Sequence, residues 1–154
     1  MIDSLFAHPW FGPVLAALIA VPLALLAHRV GGMVLERVTR SVPVLHTMLL
    51  RIKMPARFVL PLVALQLIWQ AAPEDLRFVG NIRHLNGLFL IATATWLAVR
   101  AVSGFADGMV KQHPADVTDN LEARRILTQA RVLARTANSV LIVAGAALML
   151  MTFP

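Results

Sequence analysis

Two long stretches of this chain carry no charge, and they limit what it can fold into. No Asp, Glu, Lys or Arg occurs between Asp3 and Arg29, and none follows Arg135. The second stretch belongs to a longer unit, Asp119 to Pro154, which opens as a charged amphipathic helix and passes without a breaker into an apolar run. Asp119 is the expected N-cap, with Glu122 three residues on to complete a start of the capping-box kind. At about 100° per residue, Ile126, Leu127, Ala130, Leu133, Ala134 and Ala137 share one side of this helix. Arg124, Arg125, Arg131 and Arg135 share the other. A helix from Asp119 to Phe153 would be roughly 50 Å long, against roughly 30 Å for a bilayer's hydrocarbon core. It is expected to lie half in the headgroup layer and half across the membrane.

Composition agrees with that reading. The chain has 154 residues, 58% hydrophobic and only 14% charged, with a mean hydropathy of +0.74. A soluble domain carries about 25% charged residues. So much apolar surface cannot be hidden inside a chain of this length, so lipid must cover the remainder. The pI near 11.5 invites a nucleic-acid reading. Charge placement argues against it, because the basic residues cluster beside apolar runs, as topology signals do. With no cysteine, disulfides, thiolate metal sites and thiol chemistry are excluded. No Lys or Arg precedes the first apolar run and Asp3 does, so that run is expected to be a retained helix rather than a cleaved signal.

The expected fold is all-α: an integral membrane protein with four transmembrane helices and a short interfacial helix. The spans fall at about 11–30, 56–72, 85–103 and 136–153, with the amphipathic helix at about 119–135. The first span is expected to continue through Gly31 and Gly32 towards Arg40. Leu45, Met48, Leu49 and Ile52 share a face of the interfacial helix at about 44–53, and Pro55 is expected to break it from the second span. A polar connection is expected to reach His84, and a polar turn to surround Pro114. Of the 14 Lys/Arg, twelve lie in the two connections following spans one and three or at the span ends bordering them, and only Arg77 and Arg83 lie between spans two and three. The positive-inside rule then puts both basic loops in the cytoplasm and both termini outside. Trp10, Trp69 and Trp96 are expected near span ends, in the aromatic belt.

Candidate chemistry is sparse. The five histidines, His8, His28, His46, His84 and His113, form no HExxH pair, and a heme or metal site would need two brought together across helices. No nucleophile, acid pair or phosphate loop appears, so the expectation is a non-enzyme without cofactors. No span carries a charge at its centre, which counts against a coupled transporter. Gln66, Gln70, Asn86, Thr93, Thr95, Asn138 and Ser139 are candidates for hydrogen bonds between helices. Gly104 and Gly108 form a GxxxG, and Ala144, Gly145, Ala146 and Ala147 give the last span a smooth face, both signals of close helix approach.

The stretch from Asp119 to Pro154 resembles the segment upstream of the pore-lining helix in the small-conductance mechanosensitive channel family. The likeness rests on Asp119-Asn120-Leu121, Ala123-Arg124-Arg125, Thr128-Gln129, Arg131-Val132-Leu133 with Arg135, and Met151-Thr152-Phe153-Pro154. It covers about a quarter of the chain. The first three spans match only in number and orientation, as in the branch with two extra helices before a three-helix core. The resemblance implies a homo-oligomeric channel of the bacterial inner membrane, typically a heptamer, opened by bilayer tension. Residues 137–153 would then be a lipid-facing sensor helix that pulls on the pore. A glycine- and alanine-rich pore helix and β-rich cytoplasmic domains would follow Pro154. This sequence does not include them, so no pore residue is carried over and the chain alone is not expected to conduct.

The functional expectation is a tension-sensing region, in which Arg124, Arg125, Arg131 and Arg135 hold anionic headgroups at about 1 kcal/mol per residue. A helix tied at one end and embedded at the other must tilt or slide as the bilayer thins. The alternative is a membrane scaffold subunit packing through Ala144, Gly145 and Ala147; a heme- or quinone-binding subunit using the histidines is a third. The topology has a direct check in single-cysteine variants. Thr152→Cys is expected to react with an impermeant maleimide in intact cells and Ala115→Cys only after lysis; the opposite pattern would reverse the orientation.

Overall fold

A computed structural model describes residues 9–112 and 121–153. The expected cap at Asp119, the turn around Pro114, His8, His113 and Pro154 lie outside them, as do the side chains of residues 112, 121–124 and 126. The described chain is all α: α1 spans Phe11–Thr39, α2 Pro43–Ala71, α3 Val79–Gln112 and α4 Leu121–Met151. Three of these, α1, α3 over Val79–Lys111 and α4 over Leu127–Met151, are long and apolar enough to cross a membrane. The chain is thus a multi-pass membrane protein by length and composition.

Two prolines open helices here. Pro13 lies in the first turn of α1, where its missing N–H has no intrahelical partner to lose, and Pro43 stands at the start of α2. The expected break at Pro55 does not occur. The separate interfacial helix at 44–53 and the span at 56–72 are one continuous helix, α2, with Pro55 and Pro61 inside it. Pro55 is fully buried, and packing on both sides of it holds the helix through the lost hydrogen bond. α2 is also not among the three span-like helices, because Arg57 shortens its uncharged part and Gln66 and Gln70 dilute it. The polar connection expected to reach His84 is shorter than that, since α3 begins at Val79. Phe78 makes the turn into α3 with φ 70, and Val79 N–H donates to the Leu76 carbonyl at 3.2 Å.

Extensive contact joins each helix only to its neighbours in sequence, and α2–α3 is the broadest seam. The register of that seam is antiparallel and constant. Val44 meets Gly108 and Met48 meets Gly104 at one end, and Trp69 meets Arg83 at the other. In α4, Gly145 meets Thr95, Asn138 meets Ser103, and the Phe153 ring meets His84 edge-on at 4.9 Å. The result is an open array rather than a closed bundle. α1 buries no residue, and Leu18, Leu150 and Met151 are 67%, 73% and 81% exposed. Water would not tolerate such a surface, whereas lipid tails cover it without penalty. The small buried cluster, Ala72, Leu76 and Val79 with Trp10 against it, closes the end where α1 begins and α2 turns into α3.

The small residues of α3 set how closely it meets α2. A Cβ on Gly104 would sit 2.7 Å from the Met48 Cα, and one on Gly108 would sit 2.7 Å from the Val44 Cα. Both obstacles are backbone, so Gly104→Ala must push the helices apart. The expected cost is about 1–3 kcal/mol, read as a lower melting temperature in detergent. Gly31→Ala meets nothing within 4 Å and is expected to be neutral or stabilising. Equal melting shifts in the two variants would mean that the seam does not depend on backbone contact.

Candidate functional site: the basic end of the helical array

The antiparallel order brings four helix segments to one end: the last part of α1, the first part of α2, the last part of α3 and the first part of α4. Eleven of the 14 Lys/Arg lie on these segments and Arg40 directly follows α1, while Arg77 and Arg83 lie at the opposite end. Between Arg83 and Arg100, α3 runs uncharged for about 25 Å, close to the thickness of a hydrocarbon core. Beyond Arg100 it continues for about another 18 Å. Trp96 is midway along α3, which continues past the expected third span. It stacks on Phe58 at 6.3 Å, one turn inside Arg100, at the level where the basic residues begin.

Two ion pairs stitch this end together. The Arg51 guanidinium lies 2.5 Å from the Asp107 carboxylate, joining α2 to α3. The Lys53 ammonium donates to Glu36 at 2.6 Å, joining α2 to α1. Both pairs are partly exposed, so each contributes at most about 1 kcal/mol. The arginines of α4 differ. Arg125, Arg131 and Arg135 are exposed and belong to no ion pair among the described residues; the Arg124 side chain is outside them. The face of α4 turned to α3 carries buried Leu127 and half-buried Ala130, Ala134 and Ala137. Leu133, expected on that face, is 69% exposed, because the contact follows every third or fourth residue from Leu127 and leaves Leu133 at its edge.

The small residues divide similarly. Gly145 is buried, and a Cβ there would overlap the Thr95 side chain, so it serves the seam within this chain. Ala144 and Ala147 are exposed beside it. The polar residues of the apolar region divide into two groups. Asn86 Nδ2 donates to the Leu62 carbonyl at 3.0 Å and to Gln66 Oε1 at 2.6 Å, and Asn138 Nδ2 donates to Ser103 Oγ at 2.9 Å; these cross between helices. Thr93, Thr95 and Ser139 instead donate back to the carbonyl four residues earlier in their own helix.

Arg83 has a role that topology counting missed. Its guanidinium donates to the Trp69 carbonyl from Nε at 3.3 Å and from Nη2 at 3.1 Å. That carbonyl lies in the last turn of α2, where no intrahelical N–H is available and a cation is favoured. The signal was available in principle: an arginine early in the helix that follows a short polar connection from an antiparallel partner. The histidines do not gather. His84 is at the opposite end from His28 and His46, and no group of three His, Asp or Glu among the described residues could hold a metal ion. His46 Nδ1 is buried without a hydrogen-bond partner on α2.

Comparison with protein-family models, with curated proteins and with solved structures gave no match. The interhelical bonds are open to measurement. Asn86→Leu removes both bonds to α2 and is expected to destabilise the hairpin by about 0.6–2 kcal/mol in detergent unfolding. Thr93→Val, which removes only a bond within α3, is expected to cost clearly less; the reverse order would show that the hairpin is not held by Asn86.

Proposed function

We propose that this chain is the membrane-embedded, tension-sensing region of a mechanosensitive ion channel of the bacterial inner membrane. It crosses the bilayer with its basic end in the cytoplasm and its termini outside. The observation that carries this reading is the form of α4. One helix combines exposed Arg125, Arg131 and Arg135, in no ion pair among the described residues, with a long uncharged run, and it has extensive contact only with α3. Its exposed Val140, Ile142, Val143 and Leu150 suit contact with lipid tails. The guanidinium groups follow the headgroups while the apolar run follows the tails, so thinning the bilayer changes the preferred tilt. Few contacts resist that tilt. The likeness of Asp119–Pro154 to the segment before a mechanosensitive pore helix supports the same reading, and with it a homo-oligomer.

The test follows α4 directly. The chain carrying spin labels at Ala94→Cys on α3 and Ser139→Cys on α4 is reconstituted in short-chain and long-chain phospholipid bilayers. The interlabel distance is expected to differ between the two, and to differ less when Arg125, Arg131 and Arg135 are replaced by Gln. An unchanged distance in thin and thick bilayers would sink the sensing role. In patch recordings of the complete gene product, the same three substitutions are expected to shift the opening tension.

A further inference from the structure

A second basic feature at this end does not involve α4. Between α1 and α2 lies an open groove of about 790 Å³. Its α1 wall is apolar, made by Pro22, Leu25, Leu26 and Met33. Its rim is cationic and comes from both helices: Arg29 from α1, Lys53 and Arg57 from α2, with His28 beside them. Lys53 is engaged by Glu36, but Arg29 and Arg57 form no ion pair among the described residues. Two guanidinium groups gathered on one groove repel each other, and an anion held between them offsets that repulsion. Gly32 also lines the groove, and a Cβ there would meet nothing within 4 Å, so the floor is open space.

The ligand such a groove fits is anionic at one end and apolar along its length. The groove also lies where the uncharged run of α1 ends, the level of a headgroup layer. We propose that it binds one anionic phospholipid, with the phosphate between Arg29 and Arg57 and the acyl chains along Pro22, Leu25 and Leu26. Guanidinium suits the phosphate because its fork of N–H donors matches two phosphate oxygens at once. This site depends on α1 lying in the bilayer and not on tension gating, so it stands or falls separately from the sensing role.

The test is native mass spectrometry of the whole chain released from phosphatidylcholine vesicles containing phosphatidylglycerol. Retention of phosphatidylglycerol over phosphatidylcholine is expected, and Arg29→Gln with Arg57→Gln is expected to reduce that preference by about fivefold per arginine. Arg37→Gln with Arg40→Gln removes as much charge from the same end of α1, outside the groove, and is expected to keep the preference. Gly32→Phe fills the groove while leaving both arginines; it is expected to lose the lipid with helicity intact, and it decides the matter if the double arginine variant does not fold. Excess inorganic phosphate is expected not to displace the lipid. A preference that survives both groove variants, falls equally in the Arg37 and Arg40 variant, or yields to free phosphate would overturn the proposal.

Discussion

In lipid, apolar side chains gain nothing by meeting each other rather than acyl tails, so helices must be held by close packing and hydrogen bonds. The α2–α3 hairpin meets that demand and the rest of the array depends on it. Gly104 and Gly108 let the two backbones approach until no Cβ fits between them, and Asn86 and Arg83 supply bonds further along the same seam. These contacts lie on a single register from Val44 to Trp69, about 38 Å of helix. That length exceeds a hydrocarbon core, so the hairpin extends past the apolar region as a stiff rod.

The outer helices are held more weakly. α1 buries no residue and is tied at its basic end by the partly exposed Glu36–Lys53 pair. α4 lies on α3 through a narrow line of small residues, from Ala130 to Gly145, with one polar link at Asn138. A helix with one neighbour can change tilt while losing few contacts, which a helix inside a closed bundle cannot do. The same openness leaves the groove beside Arg29 and Arg57 uncovered.

Charge placement acts on top of this. Basic residues begin at Arg29, Arg57, Arg100 and Arg135, positions in the middle of their helices rather than at the ends. The array therefore has an uncharged slab and a charged extension, built from the same four rods. Phe58 and Trp96 stack at the boundary, where aromatic rings suit the change from tail to headgroup. Ion pairs stiffen the extension between α1, α2 and α3, while no ion pair among the described residues involves Arg125, Arg131 or Arg135.

Much of this was legible in the residues themselves. Uncharged runs bounded by arginines determine helices and their alternation, because a bilayer forbids an unpaired backbone and charges must stay near its faces. Candidate small and polar packing positions could be named for the same reason, since spacing along a helix is local. What the tertiary structure alone decided was which of these positions face one another. Pro55 breaks a helix by local rules, yet burial against a partner carried α2 through it. Gly145 could have served another molecule, but Thr95 of the same chain occupies that face. Arg83 carried only a topology signal until the carbonyl of Trp69 came within reach. Periodicity is a property of one helix, whereas a partner is chosen by the register between two, and that register is set by distances in space that sequence spacing does not contain.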